Sequence, residues 1–197
     1  MTPARTAAIH RTTAETDIRL TLTLDGTGQT EVTTGIGFLD HLFTTLARHA
    51  RFDLDLTCRG DLEVDDHHTA EDCALALGQA LDEALGERRG IARFGSAFAP
   101  LDEALARAVV DFSGRGWGVA ELALTGERIG ALSCEMVPHL ITSLAATARA
   151  AIHLDVLRGA NDHHRAEAAF KALALALREA VALTGEDRIP STKETLT

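Results

Sequence analysis

A chain of 197 residues is long enough for one large domain or two small ones, and its 46% content of hydrophobic residues is typical of a globular protein. The formal net charge of −10 and the pI of about 5.3 argue against nucleic acid as a partner. The three cysteines form no C-x-x-C pair, and no apolar run is long enough to span a bilayer. We therefore expect a soluble, cytoplasmic protein with reduced thiols and no membrane partner.

The first predicted elements are a hairpin, a helix, a strand and a second helix. Alternating apolar residues predict a strand at 17–24, which a glycine-containing turn at 26–28 joins to the run TEVTT as a hairpin. Helical spacing follows at 38–50 and alternation returns at 51–58. The next helix is predicted to begin at Asp65 or Asp66, both suitable N-caps, and to end around 86–90.

Beyond residue 90 the order of elements repeats. Strands are predicted at 105–112 and 118–124, a helix at about 138–153, a short strand at 154–157 and a long helix at 161–183. The predicted fold class is α+β, formed by tandem duplication of a strands-helix-strand-helix unit. The first repeat spans residues 1–90 and the second spans 91–197, and we expect the two to pack as one body.

One motif occurs twice, as DDHHTAEDCALAL at 65–77 and as NDHHRAEAAFKALALAL at 161–177. An isolated histidine precedes each copy, since His41 lies 26 residues before His67 and His139 lies 24 residues before His163. Each interval also contains a strand with aspartate and an Arg-Gly pair. A single H-H-x-x-E sequence is often accidental, but two copies with matching upstream histidines indicate a shared purpose.

The motif has the spacing of a metal site. Positions i and i+4 share one helix face, so His67 with Glu71 and His163 with Glu167 each form half a site. The second histidine of each doublet points about 100° away, which leaves it free for another ion. Six histidines and two glutamates then give each of two ions three nitrogens and one oxygen, with open positions for substrate or water. The predicted ligands are His41, His67, His68, Glu71, His139, His163, His164 and Glu167.

Other candidate residues have an ordinary interpretation beside the functional one. Lys171 lies on the metal-bearing helix face, although spacing alone also fits a solvated lysine. Arg115 lies between glycines in FSGRGWG, which suits either an anion site or a simple turn. No nucleotide-binding fingerprint is present, so no nucleotide cofactor is expected. The donor set suits manganese, iron, cobalt or zinc, so the sequence does not fix the metal.

Six segments together resemble the imidazoleglycerol-phosphate dehydratase family of histidine biosynthesis: GIGFLDHLFTTLARH, GDLEVDDHHTAEDCALALGQAL, GIARFG, DFSGRG, NDHHRAEAAFKAL and PSTK. The resemblance runs from about Arg11 to Lys193. It implies a ribosomal protein S5 domain 2-like fold, with two sheets packed with helices. It also implies two manganese ions (Mn2+) per active site and a homo-oligomeric shell of twenty-four subunits with active sites at subunit contacts. One departure is Glu194, where the family usually has glycine.

The resemblance further implies the activity, a metal-dependent hydro-lyase that converts imidazole glycerol phosphate to imidazole acetol phosphate. The substrate imidazole would be bound by the two ions as imidazolate. The eight metal ligands carried over are those reached from spacing, and the implied catalytic residues are Glu15, His41, Glu71 and Glu167. Glu15 would accept the carbon proton. The small-molecule phosphate substrate would be held by residues matching Glu15, His49, Arg93, Arg115, Lys171, Ser191, Thr192 and Lys193.

Two other functions remain open at this point. A metal-storage shell would need only the histidine doublets, but it leaves Arg93, Arg115 and Lys171 unexplained. A di-metal hydrolase would use its ions to activate water. Such sites usually rely on bridging carboxylates, whereas this ligand set is mostly imidazole.

Overall fold

A computed structural model describes residues 4–196, and its first repeat forms a four-stranded sheet with two helices on one face. The strand order in this sheet is β1-β2-β4-β3, with β3 parallel to β4 and the other neighbours antiparallel. The elements are β1 (Thr6–Thr12), β2 (Thr16–Thr23), β3 (Thr30–Thr33), α1 (Gly37–Ala50), β4 (Asp53–Gly60) and α2 (His67–Leu85).

The second repeat has the same topology. Its sheet order is β5-β6-β10-β7, again with one parallel pair, β10 with β7. A short hairpin, β8 with β9, is additional. The elements are β5 (Phe94–Leu101), β6 (Ala104–Asp111), β7 (Trp117–Glu121), β8 (Arg128–Ile129), β9 (Leu132–Ser133), α3 (Met136–Ala148), β10 (Ala151–Arg158) and α4 (Asp162–Ala180). The predicted α+β duplication is therefore confirmed, while the division of the chain at residue 90 stays a prediction.

The helices form a double layer between the two sheets. Helices α1 and α2 pack on the first sheet and α3 and α4 on the second, while α2 packs against α3 and α1 against α4 across the repeats. The α2–α3 contact is close, because a Cβ on Gly78 would lie 2.5 Å from the carbonyl oxygen of Leu144. This cross-repeat packing determines which histidines meet.

The predicted hairpin between the strands at 17–24 and TEVTT is wrong. Strand β2 pairs with β1 on one edge and with β4 on the other, so β4 separates β2 from β3. The reason lies at Asp53, whose Oδ1 accepts the N–H groups of Thr27, Gly28 and Gln29 at 2.8–3.0 Å. These bonds hold residues 27–29 against the start of β4, so β3 pairs with β4 and does not fold back on β2 as a hairpin.

The helix predicted at 138–153 is too long. Helix α3 ends at Ala148, Arg149 takes a left-handed φ of 50°, and residues 151–158 form β10. Ile152 is buried beside exposed His153, in the alternation of a strand, so residues 151–153 belong to β10 and not to the predicted helix. The helix predicted at 161–183 ends earlier, at Ala180, and strands β1 and β5 were not predicted. Among residues 4–196, no helix combines the length and apolar character that crossing a membrane requires.

Candidate metal centre

One cluster of metal-binding side chains lies between α1 and α4. His41 Nε2 lies 2.8 Å from Glu167 Oε2, and His163 Nε2 lies 3.1 Å from the same oxygen. The two imidazole rings have centroids 5.6 Å apart, and the Phe38 ring packs beside both, at 5.9 Å from His41 and 4.9 Å from His163. We call His41, His163 and Glu167 the α1–α4 cluster.

A second cluster lies between α2 and α3. His139 Nε2 lies 2.9 Å from Glu71 Oε1, and His67 Nε2 lies 3.7 Å from Glu71 Oε2. The rings of His67 and His139 have centroids 5.1 Å apart. Ser143 also approaches Glu71 Oε1, at 3.5 Å. We call His67, Glu71 and His139 the α2–α3 cluster.

Each cluster draws its isolated histidine from the other repeat. His41 belongs to the first repeat but meets the doublet helix of the second, and His139 does the reverse. The cause is the packing of α1 on α4 and of α3 on α2. Sequence spacing predicted the local pairs, His67 with Glu71 and His163 with Glu167, but it could not assign an isolated histidine to either pair.

The donor atoms of both clusters fit a metal ion. In each cluster one atom from every residue lies within 4.8 Å of the others. Metal–nitrogen and metal–oxygen bonds are about 2.0–2.2 Å long, so two donors of one ion lie roughly 3–4 Å apart. Two imidazoles with one carboxylate suit Mn, Fe, Co or Zn. Each cluster can therefore supply three ligands while leaving coordination positions open.

The remaining doublet histidines, His68 and His164, lie outside both clusters. Asp61 Oδ2 lies 3.0 Å from His68 Nδ1, and Glu103 Oε2 lies 2.7 Å from His164 Nδ1. These hydrogen bonds to carboxylates are the main cause that raises the pKa of both histidines. A carboxylate on Nδ1 fixes the ring and its tautomer, which leaves Nε2 to face a metal.

The two clusters differ in one basic residue. Lys171 Nζ lies 2.8 Å from Glu167 Oε1, whereas the position one turn after Glu71 is Leu75. Burial would raise the pKa of Glu167, but the hydrogen bonds from Lys171 and His41 outweigh it and lower the pKa to about 2. Burial, followed by the charge of Lys171, lowers the pKa of His49. Lys171 and His49, both predicted to bind substrate, thus lie beside the α1–α4 cluster.

Glu15, the predicted proton acceptor, lies in the turn between β1 and β2. Its side chain is half exposed, and Oε1 lies 3.6 Å from His68 Nε2. Asp61 connects the two residues, because its N–H donates to the Glu15 carbonyl at 3.1 Å while its carboxylate holds the His68 ring. Glu15 therefore lies beside His68, one of the two doublet histidines outside the clusters.

Three of the other predicted phosphate-binding residues, Arg93, Ser191 and Thr192, lie far from the α1–α4 cluster within one chain. Ser191 and Thr192 line a cavity of about 840 Å³ together with Arg93, whose guanidinium also binds Asp111 and the Pro190 carbonyl. The Arg93 N–H donates to the carbonyl of Ala180, at the far end of α4 from His163. At 1.5 Å per residue this separation is about 25 Å. Lys193 follows in the same tail, and Arg115 lies exposed in the turn between β6 and β7.

Asp61, Glu103 and Phe38 take part in this arrangement but were not predicted as site residues. Asp61 follows the end of β4 and Glu103 lies in the turn before β6, where periodicity carries no signal. Phe38 was interpreted only as part of an apolar stripe. The Arg-Gly pair directly before Asp61 was the one local feature that could have drawn attention to it.

Fold and site together define a class: a duplicated α+β protein with two matching histidine–glutamate clusters, each built from both repeats. Residues 34–177 match the family model described as Imidazoleglycerol-phosphate dehydratase, and the chain belongs to that family. It is accordingly an enzyme, of the hydro-lyase type, and the resemblance inferred from the sequence is confirmed.

Curated relatives and solved structures agree. The imidazoleglycerol-phosphate dehydratase of Candida glabrata is 57% identical, covering 96% of this chain and 99% of the relative. That of Phytophthora nicotianae is 58% identical over 98% of this chain, which spans only 42% of that longer protein. The crystal structure of the Staphylococcus aureus enzyme has a TM-score of 0.82 at 33% identity, covering 91% of this chain and 99% of that one. The structure of the Pyrococcus furiosus enzyme in complex with (S)-C348 also has a TM-score of 0.82, at 34% identity, covering 95% of this chain and 100% of that one.

Proposed function

We propose that the protein dehydrates imidazole glycerol phosphate to imidazole acetol phosphate in histidine biosynthesis, with two manganese ions in each active site. The observation that carries this proposal is the pair of histidine–glutamate clusters in a chain of the dehydratase family. Each cluster would hold one ion, and the two ions would supply Lewis-acid chemistry that favours loss of the substrate's ring N–H.

Each cluster supplies two nitrogens and one oxygen, so a third nitrogen is needed to complete the predicted ligand set. His68 and His164 have Nδ1 occupied by a carboxylate, and neither belongs to a cluster of its own chain. We infer that the Nε2 atoms of these two histidines complete the clusters of neighbouring copies. The active site is then shared between subunits, which is consistent with the cytoplasmic shell of twenty-four subunits that the family resemblance implies.

The position of the phosphate-binding residues supports the same conclusion. Arg93 lies about 25 Å along α4 from His163, too far to hold the phosphate of a substrate bound at that cluster. A neighbouring copy would have to supply Arg93 and the tail residues Ser191, Thr192 and Lys193. Arg offers a planar fork to phosphate oxygens and Lys a point charge, so these groups would orient the substrate.

The outer faces of the two sheets also suggest contacts between copies. The first sheet exposes polar side chains, such as Thr21 and Asp55. The second exposes Phe98 at 60% and Trp117 at 69% relative exposure, with Val109 of β6 and the Arg107–Asp155 ion pair between them. Large apolar side chains exposed together on one face are typical of interaction sites. Because both sheets have the same topology, the difference is in side chains alone, and a second copy is the partner we propose for this face.

The reaction requires loss of hydroxide from the carbon next to the ring and of a proton from the following carbon. Glu15 is the proposed acceptor of that proton, because it is exposed and lies next to His68, which would hold the ring-binding ion. The resulting enol relaxes to the ketone, and the net change is the loss of one water. Lys171 and His49, beside the α1–α4 cluster, would help to hold the substrate.

One incubation tests the proposal against its alternatives. Manganese-loaded protein is mixed with imidazole glycerol phosphate, and ketone and inorganic phosphate are both measured. Formation of the ketone without phosphate release is the expected result. Phosphate release would instead indicate a di-metal hydrolase, and bound manganese without turnover would indicate a storage shell. Either of these outcomes overturns the proposal.

A further inference from the structure

The connection before the third helix has no counterpart in the first repeat. Residues 34–36 suffice to join β3 to α1, whereas residues 122–135 join β7 to α3. This longer connection includes the β8–β9 hairpin. We call residues 125–133 the strap.

One end of the strap is bound to the first turn of α4. Asp162 Oδ2 accepts the N–H groups of Thr125 and Gly126 at 3.0 and 2.7 Å, and the Thr125 hydroxyl at 3.3 Å. Its other oxygen accepts Arg165 Nη1 at 2.9 Å. Asp162 directly precedes the doublet histidines of α4.

The other end of the strap is bound to the start of α2. Asp66 accepts the Ser133 N–H at 2.5 Å and the Ser133 hydroxyl at 2.8 Å. Arg128, within the strap, lies 3.1 Å from the same carboxylate. Asp66 is buried at the N-cap position, yet its side chain makes no capping bond to the helix and binds the strap instead.

The middle of the strap lies close to Phe38. A Cβ on Gly130 would lie 3.9 Å from the Cβ of Phe38, the ring that packs beside His41 and His163. Leu132 is fully buried. The strap therefore contacts the two doublet helices and Phe38 in a single stretch of chain.

Asp66 and Asp162 occupy the same position in the duplicated motif, directly before each His-His doublet. We propose that they are positioning residues: by binding opposite ends of the strap, they fix the orientation of the two doublets. This proposal rests on the metal-binding part of the proposed function. Partners that hold metal ligands in place typically change metal affinity by about 10- to 100-fold when removed.

The test is manganese affinity, measured by electron paramagnetic resonance titration of the full-length protein. Asp66→Asn and Asp162→Asn should each weaken manganese binding by at least about tenfold. Ser133→Ala, a milder change at the strap end, should also weaken manganese binding. Ser133→Thr keeps the hydroxyl and should bind manganese as tightly as the parent protein. Glu127→Gln is the matched control, because this exposed strap carboxylate makes none of these contacts.

Thermal unfolding of the metal-free variants distinguishes positioning from a purely structural role. If Asp66→Asn and Ser133→Ala lower the metal-free Tm but bind manganese like the parent protein, the positioning role is overturned. If Asp66→Asn does not fold, Ser133→Ala alone decides in the same way. Failure of the parent protein to form ketone would count against the proposed function, while weaker manganese binding by these variants would still support positioning.

Discussion

His41 Nε2 lies 2.8 Å from Glu167 Oε2, although 126 residues separate the two along the chain and they belong to different repeats. His139 and Glu71 show the same exchange in the other direction. The two repeats therefore depend on each other to form the clusters, because neither repeat contains a complete cluster. Metal binding should therefore depend on the packing of α1 on α4 and of α2 on α3.

The exchange predicts energetic coupling between particular pairs of residues. His41→Asn and Glu167→Gln should each weaken manganese binding by about tenfold or more, and the double variant should lose much less than the sum of the two free-energy changes. Residues that act on one ion are non-additive, while distant ones add within about 0.5 kcal/mol.

The matched control is His41→Asn combined with Glu71→Gln, whose residues belong to different clusters within one chain. Isothermal titration of the metal-free variants measures both cycles. Equal coupling in the two cycles would mean that the clusters do not bind ions independently.

Removal of metal should abolish turnover and loosen the assembly. On the proposed function, ligands from different chains share the ions that a chelator at neutral pH would withdraw, so both activity and molecular mass should fall together. Light scattering and the ketone assay follow the two effects, and reconstitution with manganese should restore both. Full activity in rigorously metal-free protein would exclude a metal-dependent reaction.

Glu15→Gln tests the proposed proton acceptor. An amide cannot take the carbon proton, so kcat should fall by about 10²- to 10⁴-fold while substrate binding persists. Rapid-quench kinetics and equilibrium binding separate the two effects. Asp17→Asn, on the outer face of the same strand pair, is a control that should leave kcat unchanged. A near-normal rate for Glu15→Gln would place the base at another residue.

Phe98→Lys tests the apolar face of the second sheet. A lysine at the centre of a contact between copies should weaken association by about 2 kcal/mol or more. Thr21→Lys places the same charge on the polar face of the first sheet and should have little effect. Light scattering across a concentration series measures the mass of the assembly. An unchanged mass for Phe98→Lys would mean that this face takes no part in contacts between copies.

Acid stability should report the contacts of Glu103. Hydrogen bonds from the Asn161 N–H, the His164 ring and the Ala160 N–H lower the pKa of Glu103 to about 2 from 4.5. Because the folded pKa lies below the ordinary value, the stabilisation is complete above pH 4.5 and disappears as pH falls towards about 2. The Tm difference between metal-free parent and Glu103→Gln should therefore be largest above pH 4.5 and shrink below it. A Glu121→Gln control should show no such trend, and a pH-independent difference would contradict the assignment.

Local features of this fold were accessible from the sequence, and contacts distant in sequence were not. Helices α1, α2 and α4 follow from apolar spacing, and the His67–Glu71 pair follows from one turn of helix. The position of β4 between β2 and β3 depends on the bonds of Asp53 to a remote connection, which no periodicity encodes. The exchange of His41 and His139 likewise follows from helix packing across the repeats. Asp61 and Glu103 hold their histidines from turns, where single residues leave no pattern.

Anomalous diffraction at the manganese edge, from crystals grown with Mn²⁺, tests most directly whether the two clusters bind metal. One anomalous peak is expected at the α1–α4 cluster and one at the α2–α3 cluster, each roughly 2.0–2.3 Å from histidine Nε2 atoms and a glutamate oxygen. A neighbouring copy should contribute His68 or His164 to each peak. Ordered clusters without any peak, and with both doublets facing solvent, would contradict it.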